Sequence, residues 1–237
     1  MSEAEDQTAA IGASWDANAD AWSAVVRGGR IPSRRAATDA AIISATVRHR
    51  SGPLLDVGCG EGWLAHALAE RGIEVIGVDG SARLIELARE SGQGIEFHVA
   101  TYDEIIAVPT LLAGPFTAIV LNFALLAEDI VPLLRSLASR LSANGALLIQ
   151  TLHPWTARGT APYADGWRVE RFDAFEGAFP APMPWYFRTM QSWADCIQEA
   201  GLSIARLEEP AHPETREPLS LLLTCRGREL DRDNRTS

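Results

Sequence analysis

Eight residues, Leu55-Asp56-Val57-Gly58-Cys59-Gly60-Glu61-Gly62, constrain this chain more than any other stretch. Pro53 to Gly58 reads as a buried strand running into glycine. Gly62 to Arg71 reads as a helix with Trp63, Leu64, Ala67 and Leu68 on one face. Glycines at alternate positions between a strand and a helix permit a tight turn and let a ligand approach the backbone at the helix N-terminus. One crossover later, Val75-Ile-Gly-Val-Asp79-Gly-Ser81 ends a second strand on a carboxylate. A carboxylate there can accept hydrogen bonds from both hydroxyls of a ribose. Alone, the first feature can be an ordinary strand-helix turn, and the second is more often than not an ordinary helix cap. Together, one crossover apart, they point to an adenosine-containing ligand.

The rhythm around this turn predicts the architecture. Ile73 to Asp79 is a strand and Ser81 to Glu90 a helix, with Ser81 as its N-cap. Ile95 to Ala100 is a strand, and Phe116 to Asn122 another, apolar almost throughout as a strand covered on both faces should be. Glu128 to Leu141 is a helix with Ile130, Leu134, Leu137 and Leu141 on one stripe, and Gly145 to Leu152 a fifth strand. Such alternation means right-handed crossovers and a parallel sheet. After Leu152 it breaks into a segment from His153 to Phe187, rich in proline and aromatic rings. Thr189 to Ala200 then reads as a helix ending at Gly201, followed by strands at Leu202 to Leu207 and Leu219 to Cys225. Two helical stretches, Ser14 to Val26 and Ser33 to Arg50, precede the sheet, and Asp231 to Ser237 reads as a disordered tail.

Composition excludes several classes. With 237 residues, 47% hydrophobic and 22% charged, a core can be buried without metal or disulfide. Cys59, Cys196 and Cys225 show no paired spacing, which argues against a zinc knuckle and fits a reducing compartment. At a net charge of −10, with Arg34-Arg35 and Arg226 to Arg228 too sparse to form a basic stripe, nucleic acid is not the expected partner. The acidic opening, Met1-Ser-Glu-Ala-Glu-Asp, does not resemble a signal peptide, and the apolar run from Pro115 to Ala127 is too short for a span of ~20 residues, so a cytoplasmic location is expected. The chain contains no lysine, which rules out lysine Schiff-base chemistry. The glycines follow G-x-G-x-G, and Trp63 stands where a dinucleotide fingerprint needs its third glycine. An NAD-dependent oxidoreductase is therefore disfavoured, as is a Tyr-x-x-x-Lys mechanism.

On Leu54 to Gly62, Val75 to Ser81, Phe116 to Leu126 and Leu141-Ser-Ala-Asn-Gly145-Ala-Leu-Leu-Ile149, the chain resembles the class I S-adenosylmethionine-dependent methyltransferases. The resemblance implies an α/β, Rossmann-like, mostly parallel seven-stranded sheet with helices on both faces, closed by an antiparallel edge hairpin from Leu202 to Cys225. It implies S-adenosyl-L-methionine as cofactor and S-adenosyl-L-homocysteine as product. Gly58, Cys59 and Gly60 should approach the methionine part, with Asp56 supporting the loop. Asp79 should hold the ribose, with Gly80, Ser81 and Leu84 near the adenosine, and Asn122, Phe123 and Ala124 should line the sulfonium side. The chain departs from the family after its third strand, where Ala100-Thr101-Tyr102-Asp103 replaces the usual immediate aspartate. Either Asp103 reaches the adenine from a shifted position, or Thr101 and the Tyr102 backbone do. Thr117 likewise stands where an aspartate often opens the fourth strand.

Methyl transfer from a sulfonium is an in-line displacement whose donor is already activated, so alignment and exclusion of water come first. A base is needed only where the acceptor must lose a proton, and no metal is required. Trp15 and Trp22 share one helical face, either as a docking stripe or as a lid in which Trp22 closes over the cofactor. Arg34 is a candidate partner for the cofactor carboxylate. His153, directly after the fifth strand, is the candidate general base or acceptor-orienting residue. Tyr163, Trp185, Tyr186 and Arg188 are candidates to line the acceptor pocket, though a loop of that length also needs a core of its own. One methyltransferase domain over 1–230 is expected, as a helical lid (1–50), a cofactor-binding core (51–152), a cap insert (153–187) and a C-terminal helix and hairpin (188–230). The expected activity is methylation of a small molecule by a monomer or homodimer. A protein or RNA methyltransferase and a non-catalytic nucleotide-binding module remain alternatives.

Overall fold

The computed structural model describes residues 3–228 except 91, 93 and 176; the tail expected at 231–237 lies outside the described residues. Helix α1 (Glu3–Arg27) leads through a π-helical turn (Arg34–Thr38) into α2 (Asp39–Val47). The alternating region follows as β1 (Leu54–Val57), α3 (Trp63–Ala69), β2 (Val75–Asp79), α4 (Ala82–Arg89), β3 (Glu96–Val99), α5 (Tyr102–Ala107), β4 (Phe116–Asn122), α6 (Val131–Ala138) and β5 (Leu141–Leu152). A single turn, α7 (Pro154–Ala157), opens the insert, which holds β6 (Gly166–Glu170) and β7 (Met183–Phe187). The chain closes with α8 (Met190–Glu199), β8 (Leu202–Glu208) and β9 (Ser220–Gly227).

Seven strands form one sheet in the order β3-β2-β1-β4-β5-β9-β8. The first five are parallel, and β9 runs antiparallel between β5 and β8, giving the Rossmann-like sheet with its antiparallel edge. Strand order reverses between β1 and β4, and a crevice at the carboxyl ends of the strands at such a reversal is where open α/β sheets bind ligands.

Each central strand feeds two cores because its side chains alternate between faces. Leu55, Val57, Ile119, Leu121, Leu147 and Ile149 pack with Ile105, Leu134, Leu137, Trp193 and Ile197 on one face. Leu54, Ala118, Val120 and Leu148 pack with Ile42, Leu64, Leu68 and Ile85 on the other. Each large aliphatic side chain so buried contributes roughly 1.5–3 kcal/mol relative to exposure.

Several boundaries differ from the sequence reading. The helix expected at Ser14 starts at Glu3, and the one expected over Ser33 to Arg50 is divided by the π-helical turn. The helix expected over Glu128 to Leu141 spans Val131–Ala138, because Pro132 lacks an N–H and is accommodated in a first turn. Strand β5 takes up the chain from Leu141 rather than Gly145. The insert is not a plain loop: β6 and β7 pair as a hairpin, with Trp167 opposite Tyr186 and Arg168 opposite Trp185.

Candidate active site

The glycine turn is built by backbone geometry that side chains oppose. Gly58, Gly60 and Gly62 have φ of 71°, 58° and 81°, in the left-handed region. The N–H groups of Gly58 and Cys59 both donate to the Val78 carbonyl, at 2.8 and 3.0 Å, carrying the β1–β2 pairing into the turn. A Cβ on Gly58 would sit 2.6 Å from the Ala124 Cβ and 2.8 Å from the Tyr102 hydroxyl. A Cβ on Gly60 would meet nothing within 4 Å. Gly58 is thus required by neighbours from the loop after β4 and from α5, whereas Gly60 borders open space.

Asp79 ties this turn to the next one. Its Oδ2 accepts the Gly60 N–H and its Oδ1 the Ser81 N–H, both at 2.9 Å. Burial pushes its carboxyl above the usual carboxylate range, and the two N–H donors oppose that shift. Each carboxylate oxygen keeps a further lone pair after these bonds. Ser81 caps α4 through its hydroxyl, Leu84 is buried beneath, and Gly80 lies beside the Thr101 backbone.

Two further carboxyls lie beneath the turn. Asp56 and Glu61 are each 2% exposed, and Asp56 Oδ2 and Glu61 Oε1 have no hydrogen-bond partner among the described residues. Burial, then the charges of Asp79 and Glu61, push Asp56 up to about 8. Burial pushes Glu61 up to about 7, against the pull of its own backbone N–H, Arg34 and Arg27. Glu61 was missed as a site residue although it stands inside the glycine motif; sequence alone does not show that its side chain is buried. Cys59 is buried beside these groups, and its thiol is pushed up first by burial and then by them.

The loops after β3 and β4 complete the crevice. Thr101 caps α5 in a reciprocal pairing with Glu104, whose carboxylate accepts the Thr101 N–H at 2.8 Å, so Thr101 and Glu104 fix this loop while Asp103 is exposed. The Tyr102 hydroxyl donates to the Ala124 carbonyl at 3.0 Å, and burial holds it protonated. Phe123 has a φ of 55° and donates its N–H to the Gln150 carbonyl at 2.7 Å. Gln150 in turn donates its amide to Asn122 Oδ1 at 3.0 Å and to the Thr38 carbonyl at 3.1 Å, joining β4, β5 and the π-helical turn.

The lid and cap candidates fall into separate groups. Trp22 meets Trp15 edge-on at 5.3 Å between ring centres and Phe179 of the insert at 6.4 Å, and Asp16 of the same helix adds its charge to the field at Asp79. Arg34 donates to Asp39 at 2.9 Å and lies 4.1 Å above the Trp63 ring. His153 is 5% exposed, with Nε2 2.8 Å from Glu209. The buried Arg188 donates to the Ala127 and Glu128 carbonyls, between the Tyr186 and Trp193 rings. The Tyr186 N–H donates to the Leu126 carbonyl at 2.8 Å, so β7 is moored to the loop after β4. Tyr163 accepts the Met190 N–H at 2.9 Å and, like Trp185, packs edge-on against Phe187. These aromatics therefore pack against one another within the insert, with Tyr163 exposed and Trp185 and Tyr186 half-buried.

The Rossmann-like sheet thus brings a glycine turn and a strand-end carboxylate together beside its switch point. A model of the methyltransferase domain family matches residues 33–207, and the chain belongs to that family. A ubiquinone biosynthesis O-methyltransferase of Xanthomonas axonopodis pv. citri is 30% identical over 116 residues, 47% of each chain. One from Cereibacter sphaeroides (strain KD131) is 34% identical over 106 residues, 42% of this chain and 41% of its own. The chain thus spans about half the length of these curated relatives. Among solved structures, the 1,6-didemethyltoxoflavin-N1-methyltransferase of Burkholderia thailandensis, bound to its substrate and S-adenosylhomocysteine, superposes with a TM-score of 0.65 at 17% identity, over 96% of this chain and 91% of its own. An S-adenosylmethionine-dependent methyltransferase from Mesorhizobium loti does so with a TM-score of 0.58 at 23% identity, over 78% and 95%.

Proposed function

We propose that this chain transfers a methyl group from S-adenosylmethionine to a small-molecule acceptor. The carrying observation is the Gly60–Asp79 hydrogen bond, which sets a strand-end carboxylate against a glycine bordering open space. The residues suit the cofactor chemically. Asp79 retains lone pairs for ribose hydroxyls, and the Asp56–Glu61–Asp79 carboxyls form an acidic patch suited to a ligand with cationic groups. The bound cofactor supplies an activated methyl group on a sulfonium.

The protein's own contribution is placement. Gly58, Cys59 and Gly60 would border the methionine part and Asp56 would support their turn. Asp79 would hold the ribose, with Gly80, Ser81, Leu84, Thr101, Tyr102 and Asp103 around the adenosine. Asn122, Phe123 and Ala124 would flank the reacting methyl, held by Gln150. Arg34, over Trp63, would pair with the cofactor carboxylate, and Trp22 would help cover the site. His153 would face the acceptor, with Tyr163, Trp185, Tyr186 and Arg188 shaping the cap above it. In this reading 1–50 is the lid, 51–152 the cofactor core and 153–187 the cap of one domain.

The net charge of −10 favours a small acceptor over nucleic acid. Among the described residues no helix is long and apolar enough to cross a membrane, and we place the activity in the cytoplasm. Calorimetric titration with S-adenosylhomocysteine, with NAD⁺ as comparison, tests the reading. Saturable one-site binding of the first alone is expected; binding of NAD⁺ alone, or of neither, overturns it.

A further inference from the structure

His153 and Glu209 form a buried-to-exposed pair at the carboxyl end of the sheet. His153 is 5% exposed, its Nε2 lies 2.8 Å from Glu209 Oε1, and its Nδ1 is enclosed without a hydrogen-bond partner among the described residues. The Glu209 side chain is 54% exposed, and the segment that follows it is tied down. The Leu219 N–H donates to the Pro210 carbonyl at 2.8 Å, Ala211 bridges Pro218, and Thr156 of α7 donates to the Pro218 carbonyl at 2.7 Å. The return from β8 to β9 is thereby fastened beside the turn that follows His153. Gln150, three residues earlier on β5, is wired to Asn122 and to the loop that carries Ala124 over Gly58. His153 thus belongs to the same end of the sheet as the glycine turn.

An ionised carboxylate only accepts hydrogen bonds, so the contact with Glu209 selects the imidazole tautomer with its proton on Nε2. That leaves a lone pair on Nδ1, buried and unpartnered. Buried acceptors without a donor are rare in folded proteins, and a bound ligand's donor is one way to satisfy them.

We propose that Glu209 is a positioning residue that holds His153 with Nδ1 as a proton acceptor, for an acceptor molecule whose nucleophilic atom arrives as O–H or N–H. The inference rests on the methyl-transfer reading above. As the acceptor oxygen or nitrogen bonds to the methyl carbon, the carbon–sulfur bond breaks and its electron pair stays on sulfur. The acceptor's proton passes to Nδ1, and the imidazolium so formed is held through Nε2–H by the Glu209 carboxylate. One methyl group and one proton are accounted for, and no other reactant is needed.

The test is a long-range proton–nitrogen correlation spectrum of the full chain labelled at histidine, at pH 8, with His153 identified by its loss in His153→Gln. A neutral ring with Nε2 protonated and Nδ1 bare is expected. Glu209→Ala should shift His153 toward a mixture of tautomers. Glu209→Gln, whose amide oxygen still accepts, should keep the wild-type pattern and so separate tautomer control from loss of folding. A wild-type ring protonated on Nδ1, or a pattern unchanged in Glu209→Ala, overturns the proposal. S-adenosylhomocysteine affinity should be the same in all three chains. Failure of even the wild type to bind it sinks the cofactor reading alone, whereas a wrong tautomer sinks the Glu209 assignment alone.

Discussion

Asn18 and Ala181 are joined by two hydrogen bonds, from Asn18 Nδ2 to the Ala181 carbonyl at 2.8 Å and from the Ala181 N–H to Asn18 Oδ1 at 3.1 Å. One amide side chain thus pairs with the insert backbone as a neighbouring strand would. Around it Trp22 meets Phe179, which stacks on Phe172 at 4.1 Å between ring centres. The N-terminal helix and the insert are therefore one packed unit, moored to α4 by Arg27, which donates to the Leu87 carbonyl at 2.6 Å. Asn18 is fully buried, so Asn18→Ala should lower stability by about 2 kcal/mol through backbone groups left without partners. Asn18→Asp should do no better, since a carboxylate cannot donate to the Ala181 carbonyl. Urea unfolding of both variants checks this; a loss below about 0.5 kcal/mol, the size of an ordinary surface change, would show that the pairing holds nothing together.

The glycines of the turn should separate ligand space from folding. Gly60→Ala meets no atom but must keep a φ of 58°, so it should cost about 1–2 kcal/mol of stability while filling the space beside Asp79. Its main effect should be on S-adenosylhomocysteine affinity, reduced at least ~10-fold, equivalent to about 1.4 kcal/mol. Gly58→Ala adds contacts of 2.6 Å to Ala124 and 2.8 Å to Tyr102, and should unfold at markedly lower temperature. Melting curves with and without ligand distinguish the two. Gly60→Ala binding as tightly as wild type would remove the ligand from that space.

The glycine turn, Asp79 and the five parallel strands were legible because each leaves a local mark: a strand ending in glycine, a carboxylate one crossover later, apolar runs of strand length. What was not legible depends on tertiary pairing. The β6–β7 hairpin has half-buried rings and an exposed valine rather than clean alternation, so its pairing is visible only in the register that sets Trp167 against Tyr186. Helix α5 is six residues long, too short for a periodic stripe, and its Thr101–Glu104 capping pair was the signal available for it. Glu61, Gln150 and Glu209 matter through burial or long-range partners, which composition and spacing do not record.

Asp56 gives the fold a pH dependence of definite sign. Its carboxyl titrates at about 8 in the folded chain against an ordinary value of 3.8, so the folded state holds this proton more tightly than the unfolded one. Its contribution to stability is full below about pH 4 and is lost as pH rises toward 8; Glu61, at about 7, acts in the same direction over a narrower window. Wild-type stability should fall by a few kcal/mol between pH 5 and 8, the slope from one group being at most about 1.4 kcal/mol per pH unit. Asp56→Asn should flatten that slope and be the more stable chain at pH 8. Denaturant titrations at four pH values measure both slopes, and parallel lines would contradict the assignment.

The same carboxyls should make cofactor binding release protons. At pH 7 Glu61 is about half protonated and Asp56 mostly so, because each is buried and Asp56 also feels its carboxylate neighbours. A ligand cation placed among them favours their ionised forms and lowers their pKa, so protons must leave as it binds. Calorimetric enthalpies measured in phosphate and in Tris should therefore differ, and their dependence on buffer ionisation heat should correspond to a proton release between roughly half and one per site. Release should be greater for S-adenosylmethionine than for S-adenosylhomocysteine, because the sulfonium adds a second positive charge. It should shrink in Glu61→Gln, which keeps the side-chain shape and removes the titration. Equal enthalpies in the two buffers for both ligands would mean that the bound molecule's charges lie away from Asp56 and Glu61.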